Sequence, residues 1–152
     1  RGGGRRGEGG RMTRHGWVAR ALGVPSVRAI RGATTVPTDD PVAIRTAVLE
    51  LLEAIRRDNA LDDGEVISAI FTATSDLASA FPAETARAAG WQHVPLLCTS
   101  EIAVPGSLPR CLRLLVHVER VWRGREVRHV YLREAAQLRP DLAANGGAAL
   151  SA

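Results

Sequence analysis

Apolar positions along the chain change period several times, and each change predicts an element. Val27-Arg28-Ala29-Ile30-Arg31 alternates and stops at Gly32, the pattern of a short strand. Thr38, Asp39 and Asp40 then offer an N-cap, and Pro41 suits the first helical position. Ile44, Val48, Leu51, Leu52 and Ile55 recur on one helix face, with Arg45, Glu50, Glu53, Arg56 and Arg57 on or beside the wet side. Asn59 and Asp62-Asp63-Gly64 end that helix. Val66–Thr74 is apolar and β-branched and reads as a buried strand. Phe81-Pro82-Ala83 opens a second helix that runs through Arg87 and stops at Gly90. Val94–Cys98 is a further buried strand, whose Pro95 argues for an edge position or a strand start.

The clearest alternation runs from Cys111 to Glu119. Leu112, Leu114, Val116 and Val118 share one face; Cys111, Arg113, Leu115, His117 and Glu119 share the other. After a turn at Arg123-Gly124, Val127–Leu132 reads as another strand and Glu134–Leu138 as a short helical turn. The order β-α-β-α-β-β-β predicts an α/β (α+β) domain with a mostly β-sheet core over residues 25–143.

Composition narrows this picture. Hydrophobic residues are 45% of the 152 and charged residues 24%, ordinary for a globular chain. Aromatics are only 4%, so the core must be built from aliphatic side chains. No apolar run approaches 18 residues, which argues against a membrane span. The two cysteines form no CxxC, which argues against a disulfide scaffold and a zinc ribbon.

All 20 basic residues are arginine, and six of them stand in the first 20 positions with a single acid, Glu8. That segment carries +5 and the remainder −1, so the basic field belongs to the N-terminal stretch. Residues 1–24, Arg/Gly-rich, are expected to be disordered, and residues 144–152 to form a flexible tail. The folded domain is expected to bind neither nucleic acid nor membrane.

Candidate chemistry is concentrated in arginines. Arg31 stands at the end of a predicted strand, Arg113 inside one, Arg87 on the short helix and Arg139 before the last proline. A guanidinium binds a carboxylate through two parallel hydrogen bonds, so such a cluster suits a small dicarboxylate. Cys98 and Cys111 are nucleophile candidates beside four histidines, although packed, inert thiols fit their apolar surroundings better. There is no HxxxH, HExxH, Walker loop or strand-linked GxGxxG, so neither a metal nor an organic cofactor is expected.

Five blocks carry a resemblance: VRAIRGATTV ending at Val36, FTATSDLASAFPAETAR at 71–87, GWQHVPLLC at 90–98, PGSLPRCLRLL at 105–115 and RHVYLREAAQLRPDL at 128–142. In order and spacing they resemble the monofunctional bacterial chorismate mutases of the α/β-barrel-like class. The resemblance implies a single domain with a mixed sheet, helices packed on one side and a trimer forming a pseudo-α/β-barrel. It implies conversion of chorismate to prephenate by an intramolecular [3,3] rearrangement, without cofactor or metal. It also implies a cytoplasmic homotrimer in aromatic amino-acid biosynthesis, with active sites between subunits.

By position, Arg113 matches the arginine on the ether oxygen and Arg31 a carboxylate-binding arginine. Tyr131 matches a hydroxyl donor to the side-chain carboxylate, and Glu101 a glutamate orienting the ring hydroxyl. Cys98 matches a cysteine beside that hydroxyl. Phe81, Ala83, Leu96 and Leu97 match wall positions, Arg87 and Arg139 entrance arginines, and Leu138 a packing partner of Arg139. Two positions depart from the pattern: Glu84 stands where some members have lysine, and Leu97 where some have threonine. The alternative is a trimeric small-anion binder, or a protein resembling the enamine/imine deaminases, on a similar scaffold. The joint presence of Arg31, Glu101, Arg113 and Tyr131 separates the two.

Overall fold

The computed structural model describes residues 22–143. Its longest helix, α1 (Pro41–Asn59), begins where the capping residues stand. Asp40 Oδ1 accepts the N–H groups of Val42 at 2.8 Å and Ala43 at 3.0 Å, two of the donors a helix start leaves open. At the far end Ala60 takes a left-handed φ of 45°, and the Leu61 N–H returns to the Arg56 carbonyl at 2.9 Å. Arg120 Nη1 donates to the carbonyls of Asn59 and Ala60 at 3.1 Å each, a cation at the negative end of the helix.

The apolar stripe of α1 lies on a five-stranded sheet. The strands are β1 (Ser26–Thr35), β2 (Val66–Ala73), β3 (Leu96–Ser100), β4 (Cys111–Arg120) and β5 (Val130–Tyr131), in the order β3-β2-β4-β1-β5. β4 is antiparallel to both β1 and β2, while β3 lies parallel to β2 and β5 parallel to β1. Helix α2 (Pro82–Ala88) packs on α1; a 3-10 turn at Arg133–Leu138 packs on β1 and leads into α3 (Pro140–Ala143).

One sheet face is closed. Ile30 of β1, Phe71 of β2 and Leu112, Leu114, Val116 and Val118 of β4 form a core with Ile44, Val48, Leu51, Leu52 and Ile55 of α1. All are essentially inaccessible, as the period-2 and helical patterns require. Ala83, Ala86 and Trp91 extend the core beneath α2. Trp91 Nε1 donates to Asp63 Oδ1 at 2.9 Å, and Arg56 Nε donates to the same oxygen at 2.8 Å. Burial alone would raise the Asp63 pKa, but those hydrogen bonds and the Arg56 charge outweigh it and hold the carboxyl below its ordinary value.

Several expected boundaries move, each for a visible reason. The first strand does not stop at Gly32 but continues to Thr35, so Arg31 lies within it rather than at its end. Gly32 is there for space: a Cβ would stand 2.8 Å from Ile55 Cδ1 and 3.1 Å from Leu51 Cδ1, so its absence lets α1 approach the sheet. The strand expected from Val94 begins at Leu96, because Pro95 lacks an N–H and contributes only its carbonyl, to the Ala69 N–H at 3.0 Å. The strand expected at Val127–Leu132 shrinks to Val130–Tyr131. Its entrance is held instead by Asn59, whose side chain accepts the Arg128 N–H and donates to the Arg128 carbonyl, both at 2.9 Å. The segments expected to be disordered lie outside the described residues, apart from residues 22–24.

Candidate active site

Among the described residues no long helix covers the opposite face of the sheet, and register places its side chains in rows. Arg113 of β4 lies between Ala33 of β1 and Thr72 of β2, with Tyr131 of β5 paired to Ala33 and Thr99 of β3 paired to Thr72. The next row holds Arg31, Leu115, Ile70 and Leu97. A third pairs Ala29, His117 and Ser68, and the Ser68 hydroxyl and His117 Nδ1 are 3.0 Å apart. Alternation that buries the even positions of β4 thus presents Arg113, Leu115 and His117 together, while Cys111 at the strand's start is buried.

A cleft of about 600 Å³ opens over the first two rows. Arg31, Arg113, Arg139, Tyr131, Leu138 and Glu101 line it, with Thr72, Ile70 and Leu115 on its floor. Glu101 follows β3 directly, and its N–H donates to the Ala73 carbonyl at 2.8 Å, which fixes its backbone beside β2. Its carboxylate stands 3.5 Å from Arg113 Nε and accepts a hydrogen bond from the Thr72 hydroxyl. This pair orients the guanidinium while leaving 46% of the Arg113 side chain accessible to a ligand.

Arg139 and Leu138 arrive on the 3-10 turn. Arg133 ties that turn down, donating to the Thr35 carbonyl at 2.9 Å and to Glu50 Oε2 at 2.7 Å. Arg139 makes two parallel bonds to Asp141, at 2.9 and 2.7 Å, which fix its guanidinium plane. Those hydrogen bonds raise the Arg139 pKa above its ordinary value and lower that of Asp141.

The residues expected to form the site fall into two groups. Arg31, Glu101, Arg113, Tyr131, Leu138 and Arg139 share the cleft. Phe81, Ala83, Arg87, Leu96, Leu97 and Cys98 do not line it. Leu96 and Cys98 pair with Ala69 and Phe71 and turn toward the closed face, where both pack against the core. Leu97 faces the open side from the β3 edge, 59% exposed. Phe81, 71% exposed, precedes α2; Ala83 is buried in that helix, while Arg87 and Glu84 stand in solvent.

Cys111 is buried, and burial pushes its thiol pKa up against the opposing influence of Arg113, in line with a packed, unreactive thiol. Among the described residues no group of three or more His, Cys, Asp or Glu side chains could hold a metal. Thr72 and Ile70 carried no signal in their own strand, because an apolar run without alternation hides which side chains face the ligand. Pairing with Arg113 and Leu115 is what reveals them.

Comparison with known proteins identifies the family and the fold. The sequence pattern of the family described as chorismate mutase type I matches residues 27–142. The chain is 53% identical over 117 residues to the chorismate mutase AroH of Thermus thermophilus, covering 76% of this chain and 96% of that protein. It is 40% identical over 117 residues to the chorismate mutase AroH of Bacillus subtilis, covering 76% of this chain and 92% of that protein. A solved chorismate mutase from Clostridium thermocellum superposes with a TM-score of 0.67 at 41% identity, covering 72% of this chain and 98% of that one. The cleft with its three arginines therefore sits in a chain that belongs to the chorismate mutase type I family.

Proposed function

We propose that this chorismate mutase carries out its rearrangement in the Arg31–Arg113–Arg139 cleft, and that a neighbouring protomer of a homotrimer completes the site. The supporting observation is the convergence of three guanidiniums and the Tyr131 phenol on one cleft, in which Glu101 is the one lining carboxylate among the described residues. Chorismate carries two carboxylates, and an intramolecular [3,3] shift needs neither a nucleophile nor a proton donor. The protein's task is to hold the enolpyruvyl arm over the ring and to stabilise charge that grows on the ether oxygen.

Arg113 fits the second task. It stands on the central strand of the sheet, pairs with Glu101, which the Thr72 hydroxyl holds in turn, and lines the cleft. A donor aimed in advance at a developing oxyanion typically contributes about 3–4 kcal/mol to the barrier. Arg31 and Arg139 supply carboxylate-binding charge from the two sides, and Tyr131 a neutral donor beside them. Leu138, Leu115 and Ile70 provide apolar contact that limits the ring's freedom.

The second group of expected residues belongs, in this reading, to the adjacent protomer. Phe81 and Leu97 are exposed apolar side chains on α2's entrance and the β3 edge, and Arg87 stands free of the core nearby. The uncovered sheet face, with Leu97, Ile70 and Leu115 in one row, is the surface a threefold assembly would bury. Cys98 would then contribute its backbone rather than its thiol, which is turned to the core. A cytoplasmic location, implied by the resemblance, goes with this reading.

Loss of chorismate absorbance with purified protein tests the chemistry. Arg113→Ala is expected to cost about 10²–10³-fold in kcat at an unchanged melting temperature. Co-refolding Arg113→Ala with a Phe81→Ala/Arg87→Ala double variant tests the shared site. If each site takes its two halves from different protomers, every mixed trimer regains one intact interface, and the mixture recovers roughly a quarter of wild-type activity. A mixture no more active than its separate components would rule out sites shared between protomers.

A further inference from the structure

β5 carries Tyr131 but is the shortest strand of the sheet. Its ladder with β1 comprises the pairs Gly32–Val130 and Ala33–Tyr131, followed by the Leu132 N–H to the Ala33 carbonyl at 2.9 Å. On the entry side a side chain takes over. The Arg31 N–H donates to Nδ1 of His129 at 3.0 Å. One residue earlier Asn59 holds both backbone groups of Arg128. Between the Asn59 contacts and the ladder, the imidazole is the link from β1 to the residue just before β5; Arg31, which it accepts from, and Tyr131, two residues on in β5, both line the cleft.

We propose that His129 is a positioning residue for the rearrangement: its neutral ring, by accepting the Arg31 N–H, sets the placement of Arg31 and Tyr131 across the β1–β5 seam. The inference rests on the reading of the cleft as the active site. An imidazole that accepts at Nδ1 carries its proton on Nε2. A second proton at Nδ1 turns the acceptor into a donor, leaving two N–H groups opposed and the Arg31 amide without its partner. The charged groups acting on the ring are both cations, Arg31 from β1 and Arg139 from the segment before α3. Burial first, and then these two guanidiniums, lower the His129 pKa from 6.5, so the accepting form persists into mildly acidic solution. In the unfolded chain the imidazole binds its proton more readily, so His129 stabilises the fold above the ordinary histidine pKa, and this contribution is lost as pH falls through the lowered folded value.

The test is kcat/KM for chorismate from about pH 5 to pH 8, since kcat/KM reports the free enzyme's ionisations. Wild type, His129→Asn, His129→Ala and Arg31→Ala are compared, each with its melting temperature. Wild type is expected to lose activity on the acid side, below the ordinary histidine value. His129→Asn offers an oxygen near the place of Nδ1 and does not titrate; it should stay within about threefold of wild type at neutral pH and lose the acid limb. His129→Ala should fall roughly tenfold at neutral pH, the worth of one hydrogen bond, with Asn as its rescue.

Wild-type activity in His129→Ala, or an unchanged acid limb in His129→Asn, overturns the inference. If His129→Ala does not fold, the pH profile of His129→Asn decides alone. Full activity in Arg31→Ala overturns the site reading and this inference with it. An inactive Arg31→Ala beside a wild-type-like His129→Ala overturns the inference only.

Discussion

The two faces of this sheet are made by the same strands and behave as different materials. On the closed face Leu112, Leu114, Val116 and Val118 of β4 meet the stripe of α1 and are lost to solvent. On the open face Arg113, Leu115 and His117 of that strand meet no long helix among the described residues, and a cleft of about 600 Å³ lies over the first two of them. The closed face holds the protomer together through apolar burial, which is insensitive to the details of orientation. The open face instead presents cations to the cleft, and the placement of charge is what an electrostatic site requires. One alternating strand thus separates folding from chemistry, and changes to the two faces should have separable consequences.

The largest effect on folding should come from the closed face. Leu52→Ala removes a fully buried side chain of α1 and is expected to cost about 2–5 kcal/mol, read as a lowered denaturation midpoint, with activity per folded molecule retained. Arg113→Lys inverts the outcome. Without the planar fork kcat should fall about a hundredfold or more while the denaturation midpoint stays in place. A lysine enzyme of near wild-type rate would mean that charge alone suffices on the open face.

Gly32→Ala probes the boundary between the faces. The new methyl meets Ile55 Cδ1 at 2.8 Å, and the side-chain ends of Ile55 and Leu51 must shift, at about 1–3 kcal/mol of stability. Because Arg31 and Ala33 flank it in the cleft, a loss of activity beyond the loss of folded protein would show that α1 sets the placement of the site. Leu97→Asp should be smallest for the protomer, within about 0.5 kcal/mol, because that side chain is largely exposed. Sedimentation should nevertheless show a smaller assembly, with activity lost in parallel. Unchanged mass would remove Leu97 from any interface.

Much of the closed face was legible beforehand. Asp40 caps α1, Pro41 opens it, and the stripe from Ile44 to Ile55 is the stripe that is buried. β4 was equally plain, because a strand with one buried face alternates visibly. β2 was legible as a strand but not in its facing, since a run such as Val66–Ala73 gives both sides apolar residues. Gly32 was misleading: glycine signals a turn in a sequence, yet here its missing side chain admits a helix. β5 was overestimated, because β-branched residues suggest strand while Asn59 and His129 were taking up the backbone groups that a longer ladder needs.

Half of the expected site residues, Arg31, Glu101, Arg113, Tyr131, Leu138 and Arg139, line one cleft. The other half do not, and no local signal distinguishes the two halves. Leu96, Leu97 and Cys98 are consecutive in one strand, yet two of them turn to the core and one to solvent. Local chain chemistry was sufficient for elements, caps and the face that each strand must bury, because propensity and period act over a few neighbouring residues. Which arginines would meet, that Glu101 would stand against Arg113, and that a histidine ring would replace a ladder bond were decided by strand order and register. Those link residues up to 98 positions apart, as in the Arg31–His129 bond, and no short-range pattern carries such distances.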